Sequence, residues 1–138
     1  MIKSRRFIQI NLTIQKYFRI FLYTNIRKTT MKPFLKVMKA LSDPNRVKII
    51  KLLQQKMMCV CELQGALKIG QSTVSKHLKI LEDAGLVDFQ KDGLWVNYFL
   101  ADGQNSPYAA CLLGNLKHWL ADDPEIAGLA KKVPFLNR

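Results

Sequence analysis

The spacing of apolar positions changes twice along the chain, and those changes divide it into elements. Phe34, Val37, Met38 and Leu41 fall at i, i+3, i+4 and i+7, the stripe of an amphipathic helix starting near Met31. Ser42-Asp43-Pro44 restarts the chain, because Asp is a capping residue and Pro suits the first helical position. A second helix then runs to about Gln55 with Val47, Ile50 and Leu53 inward. Cys59 to Leu67 predicts a short third helix on Val60, Leu63 and Leu67, and Lys68-Ile69-Gly70 is a tight connection. Gln71 to Ala84 predicts a fourth helix with Val74, Leu78 and Leu81 inward, and Gly85 suits the left-handed position that ends it. The period then shortens: Leu86 to Gln90 and Leu94 to Leu100 flank Asp92-Gly93, a hairpin signal. Asn105-Ser106-Pro107 opens a last helix bearing Leu112, Leu113, Leu116, Trp119 and Leu120, and Asp122-Asp123-Pro124 stops it.

This order predicts a mainly α fold with a small β hairpin. A short helix, a glycine-containing turn and a second helix make a helix-turn-helix, and the hairpin makes it winged. The fourth helix exposes Gln71, Ser72, Thr73, Ser75, Lys76, His77 and Lys79. Gln, Ser and Thr reach base edges, and Lys76 and Lys79 neutralise phosphates. The plainer alternative is a solvated polar face, with His77 an ordinary surface histidine. Phe34, Val37, Met38, Leu41, Leu112, Leu116 and Trp119 supply more apolar surface than one small domain covers, which predicts a homodimer through the first and last helices. Monomer core is the competing use for some of them.

Length and charge refine this picture. The chain has 138 residues, enough for one domain, and a net charge of +12, which suits a polyanion such as DNA, RNA or an anionic membrane surface. Residues 1–30 hold Lys3, Arg5, Arg6, Lys16, Arg19, Arg27 and Lys28 and no acid, leaving only +5 for the rest. The expected division is a basic extension over 1–30, a winged helix-turn-helix domain over 31–122 and a tail without assigned structure over 123–138. The extension fits a DNA-touching arm, a targeting peptide or a membrane-surface helix, but the favoured reading is a disordered or untranslated stretch upstream of a start at Met31. No apolar run approaches the length of a membrane span. Nothing pairs a nucleophile with a base, cradles a phosphate in glycines or pairs carboxylates, so an enzyme is not expected.

Cys59, Cys61 and Cys111 are the cysteines, an odd number that argues against a disulfide framework and suits a reducing cytoplasm. Cys59 and Cys61 stand at the head of the third helix, where the helix N-terminus and Lys56 favour the thiolate form. Soft thiolates prefer soft ions. Residues two apart on an ideal helix point about 200° apart, so gripping one ion is expected to bend or unwind that turn. Cys111 is either a further ligand or a small buried hydrophobe. His118 and Asp122 stand at i and i+4, a spacing that is more often a surface pair than a ligand set.

Leu41-Ser-Asp-Pro-Asn-Arg46 with Ile49-Ile50, Gln71-Ser-Thr-Val-Ser-Lys-His-Leu-Lys-Ile-Leu81, Ala84-Gly85-Leu86-Val87, and Gly93, Tyr98 and Leu100 in the hairpin resemble the ArsR/SmtB family across about residues 31–122. The resemblance implies a cytoplasmic, homodimeric winged-helix repressor that binds operator DNA without a cofactor and is released by a metal or metalloid. Leu94 departs from it, standing where the wing usually carries a basic residue, and shifts wing contact with DNA to Lys91. Met57-Met58-Cys59-Val60-Cys61-Glu62-Leu63 resembles the inducer site of the arsenic-responsive branch, where thiolates, usually three, bind As(III) or Sb(III). Gln64 stands where a third Cys is often found, which leaves Cys111 as the remaining thiol. The alternative is a redox or sulfide sensor using the same cysteines.

Overall fold

The computed structural model describes residues 31–136. The reading of 1–30 as a basic extension lies outside the described residues. The elements run α1 (Met31–Leu41), α2 (Pro44–Leu53), β1 (Met58–Cys59), α3 (Val60–Leu67), α4 (Gln71–Asp83), β2 (Val87–Asp92), β3 (Trp95–Leu100), α5 (Pro107–Leu116), α6 (Pro124–Lys132) and a 3-10 turn at Val133–Phe135.

Local chemistry sets most boundaries. The Asp43 carboxylate accepts the Arg46 amide at 3.1 Å and Pro44 opens α2, as the Asp-Pro pair predicts. Arg46 reaches back from α2, its Nε donating to the Ala40 carbonyl at 2.5 Å and its Nη2 to that of Lys39 at 3.0 Å. It therefore satisfies carbonyls that the end of α1 leaves open. Helix α4 closes on Gly85 at φ +74, with Leu86 N–H bonded to Leu81 O and Gly85 N–H to Glu82 O. Those two bonds define the expected left-handed glycine cap. After α3 the left-handed residue is Lys68, at φ 55, while Gly70 is the extended N-cap of α4.

Ile49, Ile50, Leu52, Leu63, Val74, Leu78, Leu81 and Leu86 are fully buried and form the centre of the core. The hairpin is part of a three-stranded antiparallel sheet ordered β1-β3-β2, in which Met58 faces Tyr98 and Cys59 faces Asn97. Asp92 pairs with Trp95, so the turn residues are Gly93 and Leu94 rather than Asp92 and Gly93. Gly93 has φ +59, the conformation wanted at the first central position of a two-residue hairpin.

The C-terminal half departs from the sequence reading. Helix α5 opens where expected, Ser106 capping the Ala109 amide, but it ends at Leu116 instead of continuing through Leu120. Lys51 explains the stop. It is buried on α2, and its ammonium donates to the carbonyls of Leu116 at 2.7 Å and Trp119 at 3.0 Å. A buried cation at a helix C-terminus satisfies carbonyls that continued helix would occupy. Asp123-Pro124 does not merely stop a helix but starts another: the Asp123 side chain accepts the Glu125 and Ile126 amides. Helix α6 then buries Ile126 and Leu129, and Val133 follows into the core. The stretch left without assigned structure thus closes the core over α2.

Candidate DNA interface and thiol site

Helix α4 buries Val74, Leu78 and Leu81 and turns the opposite face outward. Gln71, Ser72, Thr73, Ser75, Lys76 and Lys79 are all exposed. Two predicted contacts need qualification. His77 is half-buried, its Nδ1 3.5 Å from Arg46 Nη1, so it links α4 to the residue that closes α1. Lys79 is engaged along its own helix, with Asp83 at 3.1 Å and Glu82 at 3.5 Å. The hydrogen bond and charge of Asp83, then the charge of Glu82, raise its pKa above 10.5, so it is a cation already shared with two carboxylates. On the wing Lys91 is exposed, and the tip presents Leu94, wholly in solvent, beside Trp95.

The thiol pair sits where the sheet hands over to α3. Cys59 is not inside the helix, as the periodicity suggested, but is its N-cap, with φ −84 and ψ 171. Its extended backbone swings its side chain back over the first turn, and the Cα atoms of Cys59 and Cys61 are 5.5 Å apart with the two sulfurs joined as a disulfide. The expectation that the sulfurs meet only by unwinding a helical turn is therefore corrected: a strand-to-helix junction brings them together without it. The reading of all three cysteines as free thiols is corrected for this pair. Cys59 is 2% exposed, Cys61 half-buried and Cys111 exposed. Cys111 belongs to α5, where its carbonyl accepts Asn115 Nδ2 at 2.9 Å, and it does not join the pair. Among the described residues, no three or more Cys, His, Asp or Glu side chains are grouped to hold a metal ion. His118 and Asp122 are both exposed.

One buried carboxylate holds this junction in place, and sequence reasoning passed over it. Glu62, 5% exposed, accepts the Cys59 amide through Oε2 at 2.8 Å, and its Oε1 receives Lys56 Nζ at 2.9 Å. Lys56 also donates to the Leu136 carbonyl at 3.3 Å. An acid three residues after an N-cap is the capping-box spacing, so Glu62 was findable from the sequence once Cys59 is taken as a cap. Arg46 and Lys51 had no such local signal.

Of the predicted dimer residues, Val37 and Leu116 are buried within the protomer and belong to its core. Phe34, exposed at its edge, stacks edge-to-face on Tyr108 at 5.3 Å between ring centres. Met38, Leu41 and Leu112 are half-buried and Trp119 is half exposed. These five leave an apolar surface on α1, α5 and the turn after it.

A short helix, a turn, a polar-faced second helix and a β hairpin define a winged helix-turn-helix regulator. The chain belongs to the arsR family of bacterial regulatory proteins, whose family model matches residues 43–88. It is 45% identical over 67 residues to an uncharacterized HTH-type transcriptional regulator of Methanocaldococcus jannaschii, a match covering 48% of this chain and 75% of that protein. It is 43% identical over 65 residues to the arsenical resistance operon repressor of Bacillus subtilis, covering 46% of this chain and 62% of that one. Several other curated relatives are matched over only about half of their length. A homodimeric winged helix-turn-helix DNA-binding domain from Mycobacterium bovis superposes with a TM-score of 0.55 at 28% identity, covering 67% of this chain and 82% of that one. These relatives are regulators, and this chain is one rather than an enzyme. No helix of the described residues is long and apolar enough to cross a membrane.

Proposed function

We propose that this chain is a cytoplasmic repressor of a resistance operon, a homodimer that reads operator DNA through α4 and is released when Cys59 and Cys61 thiolates bind As(III) or Sb(III). The observation that carries the reading is the pair itself: two sulfurs brought side by side at the head of the helix-turn-helix. Gln71, Ser72, Thr73 and Ser75 face base edges, and Lys76, Lys79 and Lys91 face phosphates. His77 supports the reading helix through Arg46. Phe34, Met38, Leu41, Leu112 and Trp119 supply the dimer surface, with Val37 and Leu116 behind it.

The junction suggests how a bound ion reaches DNA. Cys59 is hydrogen-bonded into the sheet opposite Asn97 of wing strand β3, whereas Cys61 lies in the first turn of α3. A metalloid bridging both sulfurs ties wing to helix and fixes an angle that free thiols leave adjustable. Couplings between sites of this kind are ~1–3 kcal/mol, or ~5–150-fold in affinity.

A second reading uses the same pair as a redox sensor. It rests on the geometry of the pair, whose Cα separation of 5.5 Å lies within the ordinary disulfide range. There, a peroxide-class oxidant takes two electrons from the two thiolates and the sulfurs bond. An operator mobility shift separates the two. Under reducing conditions arsenite and antimonite release the reduced protein, and cadmium and zinc do not. Release by oxidant alone, with arsenite inert, would replace the first reading by the second.

A further inference from the structure

A second basic feature lies off the reading face. A cavity of about 350 Å³ is lined by Lys48 of α2, Lys68 of the turn after α3, and Lys132, Glu125 and Gly128 of α6. Three separate elements each contribute an ammonium group. The one carboxylate, Glu125, is ion-paired to Lys48, while Lys68 and Lys132 are exposed. The wall therefore carries three positive charges against one negative, and a single anionic oxygen group suits it better than a cation.

Its position names the source of that anion. Lys68 lies three residues before Gln71, the first residue of α4, so at most ~11 Å of chain separates them. The N-terminal end of a groove-reading helix is the end that meets base edges, and backbone phosphates line the groove on either side of it. We propose that the Lys48–Lys68–Lys132 basin receives a backbone phosphate of the bound DNA, so that α6 widens the footprint of the winged helix. The inference rests on α4 being the groove reader. It gives α6 a contact with DNA beyond that of the reading helix and the wing.

The test uses the full reduced chain and a duplex selected from random sequence by that chain. Lys132→Gln and Lys68→Gln leave the Lys48–Glu125 pair intact and are checked for unchanged thermal midpoint. Each phosphate contact contributes ~0.9 to the slope of log affinity against log salt, and the homodimer carries two basins, so each substitution is expected to flatten the slope by up to ~1.8. Neutral methylphosphonate linkages are then scanned along the duplex. Wild type is expected to lose affinity at one linkage beside each half-site, and Lys132→Gln to be indifferent to that same linkage. Salt slopes equal to wild type in both variants would overturn the proposal, as would a methylphosphonate profile identical in wild type and Lys132→Gln. Inorganic phosphate perturbing the Lys132 resonances of DNA-free protein, with no change in slope, would reassign the basin to small anions and also overturn it. Failure of the wild-type chain to select any duplex would instead sink the groove-reader reading beneath it.

Discussion

Removing the Glu62 carboxylate tests how the thiol junction is held. In Glu62→Ala the Cys59 amide loses its 2.8 Å acceptor while remaining buried, and an unsatisfied buried donor costs ~1–3 kcal/mol. The Lys56 ammonium loses its carboxylate as well, but that side chain is 37% exposed, so solvent screening holds its share to ~1 kcal/mol or less. The expected total is ~2–3 kcal/mol. Glu62→Gln keeps a neutral acceptor for the amide and gives up only the ionic part, for about 1 kcal/mol. Lys56→Met isolates the exposed partner and should cost no more than ~1 kcal/mol. Urea unfolding of the reduced protein measures all three. With a slope of ~1–2 kcal/mol/M, Glu62→Ala moves the midpoint down by ~1–3 M and Glu62→Gln by about half as much or less. Equal midpoints for the alanine and glutamine variants would refute the reasoning, because the amide would then not depend on the acceptor.

Three other perturbations address separate parts of the fold. Gly103→Ala places a methyl group at φ +79, 2.5 Å from the Ala110 Cβ, and should lower stability by ~1–3 kcal/mol in thermal unfolding. Lys51→Met strips the Leu116 and Trp119 carbonyls of their shared donor; a loss of ~2–4 kcal/mol is expected, with exchange of α5 amides speeding up in hydrogen exchange. Burial, with the charge of Glu82 second, raises the Tyr98 hydroxyl above its usual 10.0. Because the folded value is raised, its stabilising contribution is complete below pH 10 and lost as pH climbs through the folded pKa. Ultraviolet titration should show a late phenol that Tyr98→Phe removes, and a Tyr98 titrating at or below 10 would contradict its placement.

What the sequence disclosed and what it hid follow from the range of the interactions. Asp43-Pro44 and Ser106-Pro107 announce helices because a cap and a fixed φ act within one turn. Asp123-Pro124 carries the same signal, but Ile126, Leu129 and Val133 are separated by Ala, Gly and Lys, a thin stripe that reads as tail until α2 is seen beneath it. The exposed polar face of α4 was legible because it is simply what remains when the apolar positions turn inward. The junction at Cys59 was not, since two residues of strand owe their form to Asn97 and Tyr98 almost forty positions away. The stop of α5 was hidden for the same reason, depending on an ammonium group from α2.

The account turns on the two sulfurs at this junction being the receiver that DNA binding obeys. Fluorescence anisotropy of a labelled operator duplex, titrated with arsenite in the presence of a reductant, tests this with wild type beside Cys59→Ser/Cys61→Ser. The doubly substituted protein should bind the duplex as tightly as wild type and stay bound at arsenite concentrations that free the wild-type complex. Release of both proteins at the same arsenite concentration would contradict the account.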